Sequence, residues 1–84
     1  MDERRPEIEY PCSWTWQIIG QGEALLRGHI EATLLGLEHE LELTRTSSSG
    51  RYCSLRVTLV VADEATRLKL GAALQRHPAV RVVL

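Results

Sequence analysis

Tyr52-Cys53-Ser54-Leu55-Arg56-Val57-Thr58-Leu59-Val60-Val61-Ala62 is the stretch whose reading decides the fold. Cys53, Leu55, Val57, Leu59 and Val61 fall on one side of an extended chain. Tyr52, Ser54, Arg56, Thr58 and Val60 fall on the other, the period of two that marks a strand with one buried face. At ~3.3 Å per residue the stretch spans roughly 35 Å, about twice an ordinary strand. The sequence therefore predicts a strand that crosses the centre of a sheet and pairs on both sides. Ser47-Ser48-Ser49-Gly50 stands before it as a turn signal, and residues 40–46 alternate Leu41 and Leu43 with Glu40, Glu42 and Thr44. Together they read as a hairpin with Gly50 at a position of positive φ.

Outward from this hairpin, residues 1–9 are mostly charged and carry Pro6, which predicts an N-terminal arm without regular pairing. Tyr10-Pro11 leads into a strand over residues 14–19, with Trp14, Trp16 and Ile18 inward as core and Thr15, Gln17 and Ile19 outward. Gly20-Gln21-Gly22 ends it, and Leu26, Ile30, Thr33, Leu34 and Leu37 recur at helical spacing over residues 23–37. On the far side, Asp63 is placed to cap a second helix through residue 76, with Leu70, Ala73 and Leu74 toward the sheet. His77-Pro78 stops that helix. Residues 79–84 form a last strand with Val80, Val82 and Leu84 inward and Arg81 and Val83 outward.

The order strand, helix, strand, strand, helix, strand is the split βαβ plan, so an α+β, ferredoxin-like βαββαβ domain is predicted over residues 10–84. Right-handed crossovers put the first and third strands in the centre of a four-stranded antiparallel sheet, the second and fourth at its edges, and both helices on one face.

A formal net charge of −1 argues against binding to a nucleic-acid backbone, which needs a basic surface. No apolar run approaches the ~20 residues of a membrane span, and Met1-Asp2-Glu3-Arg4-Arg5 is not followed by a signal-peptide core, so a cytoplasmic protein is expected. In that reducing setting Cys12 and Cys53 are expected as free thiols. His29, His39 and His77 stand in separate segments without the spacing of a zinc site, and no metal or cofactor is expected.

Tyr10-Pro11, Ile18-Ile19-Gly20, the run Ser47-Ser48-Ser49-Gly50-Arg51-Tyr52-Cys53-Ser54 and the terminal Val80-Arg81-Val82-Val83-Leu84 resemble the YbeD-like family, over nearly all of residues 10–84. The resemblance implies a small bacterial cytoplasmic protein with a fold similar to ACT regulatory domains and no established catalytic residues. That family is a domain of unknown function, sometimes labelled a candidate lipoate regulatory protein.

Two places invite a binding role. Gly20-Gln21-Gly22 lies where a central strand meets a helix N-terminus, whose free amides and dipole suit a small anionic effector. The uncovered sheet face is predicted to show Thr15, Gln17, Tyr52, Ser54, Arg56, Thr58, Val60 and Arg81, a mixed surface suited to a protein partner, with Gln17, Tyr52, Arg56 and Arg81 as its contacts. Nucleic-acid modules on this topology stack bases on aromatics of both central strands, and here only Tyr52 is available. Cys53 points inward and Cys12 has no histidine near it in sequence, so no nucleophile is prepared for catalysis. The sequence reads as a non-catalytic regulatory or interaction module, with a single-stranded nucleic-acid-binding module as the alternative. The last strand carries Arg81 as its only charge, and such an edge is a template for pairing. It predicts a homodimer through the C-terminal edge strand unless the acidic arm folds over it.

Overall fold

A computed structural model of the chain describes residues 8–84. The elements run β1 (Cys12–Gln21), α1 (Glu23–Thr33), β2 (Glu40–Thr46), β3 (Tyr52–Val61), α2 (Glu64–Gln75) and β4 (Val80–Val83). The strands form one antiparallel sheet in the order β2-β3-β1-β4, the ferredoxin-like α+β plan. β3 lies in the interior as its length demanded, paired with β1 from Cys12 opposite Val61 to Gln21 opposite Tyr52. One face of this pair is apolar: Trp16 and Ile18 of β1, and Cys53, Leu55, Val57, Leu59 and Val61 of β3. Leu26 and Ile30 of α1, Leu34 just beyond it, and Leu74 of α2 pack on that face. Burying these side chains is what holds two helices that are short for independent stability.

Several boundaries move. β1 begins before Trp14 and ends after Ile19, because β3 supplies partners over the whole length. α1 ends at Thr33 rather than residue 37. Gly36 adopts φ 84° and the Leu37 amide donates to the Leu34 carbonyl at 2.9 Å, turning the chain so that Leu37 is exposed instead of inward. Gly50 has φ 77°, as the hairpin reading required. Of the expected N-terminal arm, residues 1–7 lie outside the described residues, and Ile8 and Glu9 are exposed. Just after it, Arg67 of α2 stacks its guanidinium 4.2 Å from the Trp14 ring and donates from Nε to the Tyr10 hydroxyl at 2.9 Å. This fastens the entry of β1 to the second helix.

Asp63 caps α2 as predicted, accepting from the Thr66 amide at 2.8 Å. That backbone hydrogen bond holds its carboxyl below the usual carboxylate range. A depressed folded pKa gives stability that is present above the unfolded value and lost as pH falls through the folded one. Asp63→Ala is thus expected to lower the melting midpoint at neutral pH. The gap to wild type should narrow as acid protonates the cap, which melting curves at stepped pH will show.

Both edge strands carry a bulge. In β2, Leu43 lies opposite Leu55 and Arg45 opposite Ser54, leaving Thr44 as the extra residue. In β4, Val83 lies opposite Ile18, Val82 opposite Ile19 and Val80 opposite Gly20, leaving Arg81 as the extra one. Residues that pair directly share a face, so the inward residues of β4 are Val80 and Val83. This corrects the alternation read from the sequence: Val82 faces the open side, and Leu84, whose amide and carbonyl bond Gln17, does so too. The bulge begins where β4 comes closest to β1. A Cβ on Gly20 would lie 2.1 Å from the Ala79 carbonyl oxygen, so only glycine admits that backbone. With four residues and a bulge, β4 offers a short and broken row of outward backbone groups, which blunts it as a pairing edge.

Candidate functional site

With the helices on one face, the other face of the sheet is uncovered among the described residues, and its middle is polar. Gln17 of β1 is half-buried there and donates from Nε2 to the Thr44 hydroxyl at 2.8 Å and to the Ser54 hydroxyl. The Thr44 hydroxyl in turn donates to the Ser54 carbonyl at 3.0 Å. Thr44 is the residue left unpaired by the bulge, and its hydroxyl joins β2 to both central strands. The network covers Ser54, which is only 9% exposed although it lies on the uncovered face. These residues, with Ile19, Arg45, Ser47 and Tyr52, line a depression of about 410 Å³ at the hairpin end of the sheet.

One wall of the depression is Tyr52, and the Arg81 guanidinium lies 5.8 Å from its ring centre. Since β3 and β4 flank β1, this contact reaches across β1. Arg56, opposite Gln17, approaches Glu42 at 3.6 Å, an exposed pair that contributes little to stability. Farther along, Thr15 and Thr58 share a hydrogen bond at 3.0 Å. The structure thus brings Gln17, Tyr52, Arg56 and Arg81 onto one surface, as alternation predicted. Thr44 joins them on the outward side where alternation set it, and the structure adds Arg45, which no local signal placed there: in strict alternation Arg45 would share the inward side of Leu41 and Leu43.

The glycine pair is built differently from its reading. Gly20 and Gln21 belong to β1, and only Gly22, at φ 85°, stands at the start of α1. Gly20 serves the approach of β4, as above. Glu23 already occupies the first turn of α1, where its charge suits the positive helix end, and it pairs with Arg27 at 2.8 Å.

The two cysteines are free thiols in different surroundings. Cys53 faces the helices, and burial, with a smaller contribution from Glu23, pushes its thiol above the ordinary range. Cys12 pairs with Val61 and Cys53 with Gly20, so the two lie at opposite ends of the β1 and β3 ladder, too far apart to bridge. Iodoacetamide at pH 8 is expected to modify half-buried Cys12 well before Cys53. Mass spectrometry over time, with Cys12→Ser removing the fast adduct, checks this order.

His29 and His77, distant in sequence, meet with ring centres 4.8 Å apart, a proximity the sequence did not reveal. Both rings hold backbone: His29 Nε2 donates to the Leu74 carbonyl at 3.0 Å, and His77 Nδ1 accepts from the Ala79 amide at 3.0 Å. They tie α1 to the end of α2. No group of three metal-ligating side chains occurs among the described residues.

Fold and surface together define a small ferredoxin-like domain with helices on one face and a polar, arginine-flanked open sheet on the other. The chain belongs to the family described as "Protein of unknown function (DUF493)", whose model matches residues 5–84, in line with the YbeD-like resemblance. It is 30% identical over 81 residues to a "UPF0250 protein" of Paraburkholderia phytofirmans, covering 92% of this chain and 91% of that one. It is similar to a solution structure of protein HP0495 from Helicobacter pylori, with a TM-score of 0.84 and 25% identity, over 99% of this chain and 91% of the other. A second solution structure of HP0495 aligns with a TM-score of 0.70 and 25% identity, over 99% and 96% of the two chains.

Proposed function

We propose that this chain is a non-catalytic interaction module that binds a protein partner through its open sheet face. The observation that carries the reading is the hydrogen-bonded Gln17, Thr44 and Ser54 centre, set in a depression on a face that no element among the described residues covers. A network of this kind holds its side chains in fixed rotamers, so a partner meets a preformed surface and binding loses less entropy. Ile19, Val82 and Leu84 surround it with aliphatic area, the mixture of apolar patch and polar contacts found at protein interfaces. The positions of the thiols support a role without covalent catalysis.

Capture from the native cell with three forms of the tagged protein tests this. Tyr52→Ala alters the open face, and Leu68→Ala alters the exposed side of α2. Proteins held by wild type and by Leu68→Ala are expected to be lost with Tyr52→Ala. Loss with Leu68→Ala and retention with Tyr52→Ala would move the interface to the helices and overturn the proposal.

A further inference from the structure

The two edge bulges stand at the same level of the sheet. Arg45 of β2 lies opposite Ser54 of β3, Ser54 opposite Ile19 of β1, and Ile19 opposite Val82 of β4, with Arg81 beside Val82 in the bulge. Arg45 and Val82 both owe their place on the open face to an inserted residue, since strict alternation would have turned each inward. The row across the sheet is therefore arginine, serine, isoleucine, valine and arginine. Three inter-strand steps separate the backbones at its ends by about 14 Å, and the Arg81 guanidinium reaches inward from its end toward Tyr52. Neither Arg45 nor Arg81 makes an ion pair among the described residues, whereas Arg56 has Glu42.

We infer that this row receives an extended protein segment laid across the strands, with acidic residues at both ends and an aliphatic one between; the inference rests on the proposed role of the face. Charge complementarity selects the ends, because a guanidinium is well matched to a carboxylate. Ile19 and Val82 select the middle. At ~3.4 Å per residue, 14 Å is about four residues, so the fitting segment has Asp or Glu at positions four apart. A single-stranded nucleic acid fits less well. Its bases need open aromatic rings, and the only aromatic ring on this face, Tyr52, already carries Arg81.

The probe is the peptide acetyl-Ser-Glu-Thr-Val-Thr-Glu-Ser-amide, whose two Glu and central Val share one face when extended, titrated into nitrogen-15-labelled protein at low salt and followed by amide shifts. Shifts at Ile19, Ser54 and Val82 that saturate, and weaken as salt rises, are the expected result. Arg45→Gln and Arg81→Gln are each expected to raise Kd by about fivefold, the scale of one exposed ion pair. These side chains lie at exposed positions, and unchanged spectra away from the row will show that the variants fold. Equal binding of the same peptide with Lys in place of Glu overturns the inference. So does wild-type affinity in the double variant, or tighter binding of an oligouridylate. Absence of shifts in this row at millimolar peptide also overturns it, while the capture experiment with Tyr52→Ala reads the binding role of the face separately.

Discussion

Gly20→Val is expected to lower the melting midpoint by roughly 12–24 °C, equivalent to about 3 kcal/mol in a domain of this size. The new Cβ would stand 2.1 Å from the Ala79 carbonyl oxygen and 3.1 Å from Leu26 Cδ2. Backbone, not a flexible side chain, is what it meets. The Gln21 amide donates to that same Ala79 carbonyl at 3.0 Å, so relieving the clash costs this hydrogen bond. Separation must begin there and spread along β4, which has only four residues to resist it. Amide exchange should accordingly accelerate at Gln21 and Val82 more than in the β1 and β3 ladder. A melting midpoint within two or three degrees of wild type would show that Gly20 is not the close-approach residue described. By contrast, the glycines at positions 28, 36 and 50 have no heavy atom within 4 Å of a built Cβ, so crowding cannot explain them.

Leu55→Ala should remove about 3–5 kcal/mol, measured as a shift in urea midpoint at constant slope. Leu55 is completely buried and sits in the interior of the sheet, opposite Ile18 on one side and Leu43 on the other. Neighbours on both strands and the helices above hold the backbone in place, so the cavity has little freedom to collapse. An 84-residue chain has roughly 4–13 kcal/mol of total stability, so this single change consumes a large part of it. Leu43→Ala is the internal comparison. It lies in the same row but at the sheet edge with 38% of its surface exposed, and its loss should be well under half as large. Equal losses at the two positions would mean that the core is not centred on β3.

Much of this architecture followed from single-chain periodicity. The alternation of residues 52–61 set which side of β3 is buried, and the same period in β1 set Trp16 and Ile18 against Gln17. These two strands pair with each other over their whole length without a shift, so each residue has a partner directly opposite and the pleat keeps strict time. Caps and turns were readable for a similar reason. Asp63 bonds an amide three residues away, and Gly50 meets a backbone requirement within its own hairpin, so neither depends on distant parts of the fold.

The edge strands were decided elsewhere. Nothing in Val80-Arg81-Val82-Val83 says that one residue will be skipped in pairing. The skip occurs at the point where β4 meets Gly20, which is 60 positions away in sequence from Val80. Likewise, Arg45 reads as a partner of Leu41 and Leu43 until Thr44 is drawn to Gln17 and Ser54 on two other strands. A bulge belongs to a pair of strands, and its energy depends on what the partner offers, so one strand's pattern cannot contain it. The sequence by itself determined the element order, the buried face of the central strands and the presence of Gln17, Tyr52, Arg56 and Arg81 on the open side. Tertiary contact alone decided that Arg45 and Val82 join them, because only paired strands can turn an edge residue from one face to the other.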